Sequence, residues 1–271
     1  MLKTRIISGG IIVLISAAIL GISLKFPIIL PFTFAVLGTI AVYEVLYSTK
    51  LVNDKLTVFV SMLPAVIMPF SFIGIIGVRP AGIYTVFALL QFTLYLKNHS
   101  KFGLDGMFAS ILLPIFISYG FSAFSVLARF PKLYYVVLLL CFSAVSDTGA
   151  YFVGVLTGKH KMAPVISPKK SYEGLFGGMF FAVIFVLIVS FVYKNYLGIN
   201  ANVWVNVAIT PVFVLIGVLG DLTASIIKRQ CGIKDFGNII PGHGGIMDRF
   251  DSNLMIAPAL YWLVTYFPLV K

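Results

Sequence analysis

Residues 175–193 read LFGGMFFAVIFVLIVSFVY, nineteen positions without a charged side chain. At about 1.5 Å per residue, a helix of about 20 such residues crosses the roughly 30 Å of hydrocarbon in a bilayer. Polarity does not alternate from Phe180 to Val192 as it would in a strand of a membrane barrel, so helix is the reading. Working outward, eight further apolar stretches appear at about 6–24, 28–47, 56–77, 81–96, 106–127, 133–157, 203–226 and 253–269. The expectation is an all-α polytopic membrane protein with about nine transmembrane helices, one membrane domain over residues 1–271. Pro64, Pro69, Pro114, Pro211 and Pro258 fall inside spans, where a helix bundle tolerates them.

Composition agrees. The chain is 60% apolar and 11% charged, against about 25% charged in soluble domains, and its mean hydropathy is +1.04. A soluble enzyme, a disulfide-stapled scaffold and a disordered chain are excluded. Cys141 and Cys231 lie far apart and show neither a disulfide framework nor metal-binding spacing. The first span follows Lys3 and Arg5 and looks like a signal peptide at first sight, but the spans behind it favour an anchor. No internal repeat marks a transporter.

Most connections are short. Two are longer, 158–174 and 227–252, and they divide the expected roles: helices of unassigned role to about residue 130, catalytic helices and loops from 131 to 271. Fourteen of the twenty lysines and arginines, including Lys3, Arg5, Lys101 and those of both long loops, fall on the face of the N-terminus. Only Lys25, Arg79, Arg129, Lys132, Lys194 and Lys271 fall on the other. The positive-inside rule then puts the N-terminus and both loops in the cytoplasm and the C-terminus outside. Such a basic excess reads as membrane orientation, and no nucleic-acid partner is expected.

Glu44, Asp147 and Asp221 lie within spans, where an ionised group is costly. Glu44, about a turn from the cytoplasmic end of its helix, reads as a side chain snorkelling to the interface. Asp147, near mid-membrane beside Ser143, Ser146 and Thr148, must face a water-filled cavity or a cationic partner. Asp221, Ser225 and Lys228 follow i, i+4, i+7 spacing and share one helix face.

From Ser225 to Asp251 the chain reads SIIKRQCGIKDFGNIIPGHGGIMDRFD. Pro241-Gly242-His243-Gly244-Gly245 cannot be regular helix, and its glycines let backbone N–H groups converge on an anion. Asp248 and Asp251, three apart, share a face if they open the last helix. Acids for Mg²⁺ beside bases for phosphate oxygens are what phosphoryl or nucleotidyl transfer needs. The loop 158–174 carries Lys159, Lys161, Lys169 and Lys170, and Pro164 and Pro168 argue against helix there. His160 and His243 have no second ligand at zinc spacing.

These residues resemble the phosphatidate cytidylyltransferase (CDP-diacylglycerol synthase) family. Its signature S-x-x-K-R, K-D-x-G, P-x-H-G-G-x-x-D-R-x-D is met by Ser225, Lys228, Arg229, Lys234, Asp235, Gly237, Pro241, His243, Gly244, Gly245, Asp248, Arg249 and Asp251. The stretch from Ser146 through Glu173 is similar as well, departing at Val155, Thr157 and Ser171. The resemblance implies transfer of the cytidylyl group of CTP to phosphatidate, giving CDP-diacylglycerol and diphosphate, with Mg²⁺, room for a second cation, and often a homodimer. Asp221 and Asp248 are the expected metal ligands, with Asp251 or Asp147 assisting through water. Lys228 and Arg229 neutralise substrate phosphates, the His243-Gly244-Gly245 turn holds the diphosphate, and Lys169 and Lys170 are nucleotide candidates. Ser225, Lys234, Asp235 and Arg249 complete the expected substrate site.

Overall fold

The structure, a computed structural model, describes residues 2–97, 103–130, 133–267 and 269, with side chains from residue 8 onward. Of the basic residues that orient the chain, Lys101, Lys132, Lys271 and the side chains of Lys3 and Arg5 lie outside the described residues. Every apolar stretch picked out in the sequence carries a helix. In order these are α1 (Leu2–Ser23), α2 (Ile29–Thr49), α3 (Lys55–Phe72), α4 (Pro80–Lys97), α5 (Leu104–Leu127), α6 (Tyr134–Leu140), α7 (Ser146–Thr157), α8 (Tyr172–Leu197), α9 (Val203–Gln230), the short α10 (Met247–Phe250) and α11 (Asn253–Tyr266). Among the described residues six helical segments are long and apolar enough to cross a membrane: α2, α3, α5, α6 with α7, α8 and α9. Of the other three expected spans, the 14 residues of α11 reach only about 21 Å at 1.5 Å each, and α4 carries Gln91 and ends on Lys97. For α1 only Ser8–Ser23 lies within the residues with described side chains.

The chain divides into two compact units, residues 1–126 with 230–250, and residues 127–229 with 251–271. In the first, α1 packs on α2, α2 on α3 and α3 on α4. Gln91 sits in a span because it is paired: fully buried, its Nε2 donates to Ser61 Oγ (2.9 Å), whose hydroxyl bonds the Ser110 carbonyl of α5 (3.1 Å). Phe250 ends the 230–250 segment in an aromatic cluster, its ring 5.1 Å from that of Phe121, itself 6.0 Å from Phe34.

In the second unit α7 lies close along α8. A Cβ on Gly178 would meet the Ser146 carbonyl oxygen at 2.6 Å, so glycine lets the backbones touch. Asn206 of α9 donates to the buried Tyr134 hydroxyl at 2.6 Å. The stretch expected as one helix over 133–157 is interrupted by a π-helical turn, Cys141–Val145. Ser146 Oγ donates to the Phe142 and Ser143 carbonyls (2.7 and 2.8 Å) and Ser143 Oγ to Leu139 (3.0 Å), back-bonds that compete with the helical ladder. The turn ends next to Asp147, and such bulges favour functional sites.

Two local features differ from the sequence reading. The loop 158–174 is not simply irregular: β1 (Lys161–Ala163) pairs antiparallel with β2 (Ser167–Ser171), Lys161 opposite Ser171. Its base is held by Glu173, which accepts from the His160 N–H (3.2 Å) and contacts the His160 Nδ1 at 2.6 Å. Ser171 then caps α8, its Oγ accepting the Gly174 N–H at 3.1 Å. Second, Asp248 and Asp251 do not open one helix. α10 stops at Phe250, the Asp251 carboxylate takes the Ser252 N–H (2.8 Å), and the Ser252 carbonyl starts α11 by accepting from Met255 and Ile256.

Candidate active site

The second unit gathers Asp147, Lys170, Asp221, Lys228 and Asp251. Lys170, at the end of the hairpin, places its Nζ 2.5 Å from Asp221 Oδ2. Asp147 has Lys170 as its cationic neighbour and Asp221 as its anionic one. With Lys169, Lys170 and Ser171 it lines a largely apolar cavity of about 150 Å³, so of the two expected environments it is the cationic partner, Lys170, that is observed. Gly220 lets α9 reach the last turn: a Cβ there would stand 2.7 Å from the Asp251 carbonyl oxygen. The helix face expected for Asp221, Ser225 and Lys228 is observed. Ser225 Oγ lies 3.5 Å from Asp221 Oδ1, and the buried Lys228 has its Nζ 4.0 Å from Asp251 Oδ2. Arg229, next along, is exposed. Burial and the Asp221 carboxylate push the Asp251 carboxyl up to about 7, against the pull of Lys228.

The first unit shapes the glycine turn. Gly242 and Gly244 have φ of +79° and +89°, a left-handed backbone that favours glycine. The turn closes on itself, with the Ile240 N–H donating to the Gly244 carbonyl (2.9 Å) and the His243 and Gly244 N–H groups to the Ile240 carbonyl (2.9 and 3.2 Å). Asp248, only 7% exposed, accepts the Phe236 and Gly245 N–H groups through Oδ2 at 2.9 and 3.1 Å. The expected cradle of converging amides is therefore largely consumed within the loop. Polar side chains lie beside the turn instead. Lys234, Asp235, His243 and Arg249 line a cavity of about 590 Å³ beside the turn, and the His243 Nδ1 lies 2.8 Å from Ser8 Oγ of α1.

The expected site residues thus fall into two groups: Asp147, Lys169, Lys170, Asp221, Ser225, Lys228, Arg229 and Asp251 in the second unit, and Lys234, Asp235, His243, Gly244, Gly245, Asp248 and Arg249 in the first. Among the described residues no three His, Cys, Asp or Glu side chains stand ready as a metal cage. Two residues changed meaning. His160, a lone histidine in the sequence, braces the hairpin through Glu173. Glu44 does not snorkel: it is 4% exposed and its Oε2 accepts the Met247 N–H at 3.0 Å, so the loop rather than the interface satisfies it.

The family model described as the cytidylyltransferase family matches residues 3–267. A Staphylococcus epidermidis protein named phosphatidate cytidylyltransferase is 34% identical over 270 residues, 96% of this chain and 97% of the relative. Proteins of the same name from Staphylococcus aureus and Staphylococcus haemolyticus are 40% and 39% identical over 174 residues, which span 64% of this chain and 64% of each relative.

Proposed function

Because the chain belongs to the cytidylyltransferase family, we propose that it transfers the cytidylyl group of CTP to phosphatidate, releasing diphosphate and leaving CDP-diacylglycerol in the membrane. The observation that carries this reading is the cluster of the second unit, where Lys170 is ion-paired with Asp221 beside Asp147 and Asp251. A phosphate monoester carries about −1.5 to −2 at neutral pH, and its reaction partner is a triphosphate, so fixed charge must offset repulsion between them.

A phosphatidate oxygen attacks the α-phosphorus of CTP. A new P–O bond forms, the bond from the α-phosphorus to the bridging oxygen breaks, and that electron pair leaves with diphosphate. No side chain need act as general base, because the nucleophile is already ionised. Lys169, Lys170, Lys228 and Arg229 offset phosphate charge from the second unit, with Ser225 as a hydroxyl donor on the same helix face. In the first unit Lys234, Asp235, His243 and Arg249 line a cavity whose cationic side chains suit a phosphate group. Mg²⁺ fits the donor set of Asp221 and Asp251, since it commonly takes one or two carboxylates and completes its shell with water and substrate phosphates. Bound there it would act as a Lewis acid on the phosphoryl oxygens. Asp248, expected as a second ligand, is supported by its hydrogen bonds as the residue that holds the glycine turn.

The reading keeps the N-terminus and both long loops cytoplasmic and the C-terminus outside, with nine crossings and a homodimer. CTP then arrives from water while lipid enters sideways from the bilayer. The test is labelled CTP with phosphatidate in detergent or vesicles. Label from the α-phosphate should enter the lipid and γ-label should not; γ-label in lipid means a kinase.

Acidity supplies a further prediction. The Asp251 proton is bound below about pH 7 and competes with a divalent cation, because ligands must be deprotonated. The Mg²⁺ concentration for half-maximal activity should therefore rise as pH falls, by about fivefold from pH 7 to 6 for one displaced proton whose pKa is about 7. Asp251→Asn should flatten this dependence. An unchanged slope in that variant would show that another group binds the proton.

A further inference from the structure

We infer that Glu44 is the positioning residue of the glycine turn, reaching from α2 to fix the segment from Phe236 to Met247 on which His243 and the approach to Asp248 depend. The contact joins residues 203 positions apart. Glu44 Oε2 accepts the Met247 N–H, the Ile246 N–H adds a weaker attraction, and Oε1 is buried without a hydrogen-bond partner. The loop is built around this carboxylate. A Cβ on Gly237 would stand 2.6 Å from Glu44 Cδ, and a Cβ on Gly245 would also stand 2.6 Å from it.

That contact separates the glycines of the loop by purpose. Gly242 and Gly244 have positive φ, so the backbone itself calls for glycine there. Gly237 and Gly245 do not share that conformation. Their lack of a side chain makes room for Glu44 on both sides. The two buried carboxylates then divide the loop: Asp248 takes the Phe236 and Gly245 N–H groups, and Glu44 takes that of Met247. A charge buried in a span is costly unless it is bonded, and here the bonding partner is the loop. Glu44 touches no substrate group in this account. It acts through the loop, and its effect on catalysis rests on the proposed cytidylyl transfer.

The test uses the full chain in detergent, read by amide hydrogen exchange over 236–247, by unfolding temperature and by KM for CTP against kcat. Glu44→Ala should speed exchange in 236–247 by about tenfold or more while leaving α8 and α9 unchanged, since local opening is read segment by segment. It should raise KM for CTP more than it lowers kcat. Glu44→Gln keeps an acceptor oxygen and should restore exchange to within about threefold of the parent protein. Gly237→Ala should harm the parent protein but add little in the Glu44→Ala background, because contacting residues couple in a double-mutant cycle. Unchanged exchange over 236–247 in folded Glu44→Ala, or equal harm from Gly237→Ala in both backgrounds, overturns the inference. Should Glu44→Ala fail to fold, the same decision is read from Gly237→Ala in the parent and Glu44→Gln backgrounds: loosening of 236–247 in both supports the inference, and no loosening in either overturns it. If the exchange results hold while no α-label reaches lipid, the positioning role stands and the proposed function falls.

Discussion

Asp221→Asn is expected to lower α-label transfer from CTP to lipid by about 100-fold or more, the scale seen when one electrostatic stabiliser is removed from a reaction centre. The substitution keeps size and removes charge. It ends the ion pair with Lys170 at 2.5 Å, and it takes away a repulsive neighbour of Asp251. The Asp251 carboxyl should then titrate lower, so the variant's residual activity should have a more acidic pH profile than the parent's. Asp221 lies in α9 with its Oδ1 near Ser225, and asparagine keeps the size and one acceptor oxygen at this position, beside which Asp147 still faces Lys170. Unfolding temperature should therefore change little. Near-normal turnover in a folded Asp221→Asn would remove the cluster from the mechanism.

Asp248→Ala is expected to fail differently, through loop order. Oδ2 accepts two backbone N–H groups, and hydrogen bonds to a charged group contribute about 1.5–3 kcal/mol each. Losing both removes about 3–6 kcal/mol from the folded loop, and two buried donors are left without that acceptor. Limited proteolysis should cut within 236–247 and transfer should fall by about 100-fold or more. Asp248→Asn retains one carbonyl oxygen and should lose less on both counts. A protease-resistant Asp248→Ala would assign the loop's order to Glu44 and Phe250 alone.

The helices were legible because apolar runs of bilayer length leave few other options, and the chemistry was legible because charged residues in spans are rare. Asp147 shows how far this goes: its cost in a membrane demanded a water-filled cavity or a cationic partner, and Lys170 is that partner. Glu44 shows where it stops. A carboxylate near a helix end looks the same whether it reaches water or a loop 203 residues away, and only the close-packed Gly237 and Gly245 reveal which. The π-helical turn was hidden because it depends on where serine hydroxyls back-bond, not on hydrophobic period. The hairpin of three and five residues is too short to leave an alternating pattern, and its prolines speak only against helix. The break after Phe250 turns on a single carboxylate taking one N–H.

Phe250 and Asp251 are neighbours in sequence yet belong to separate units, and the same holds for Arg229 and Gln230. Grafting the amino-terminal half of one relative onto the carboxy-terminal half of another at a single junction would part the 230–250 stretch from the helices it packs with. A working hybrid needs three joints, after residues 126, 229 and 250, so that this stretch travels with its own α2.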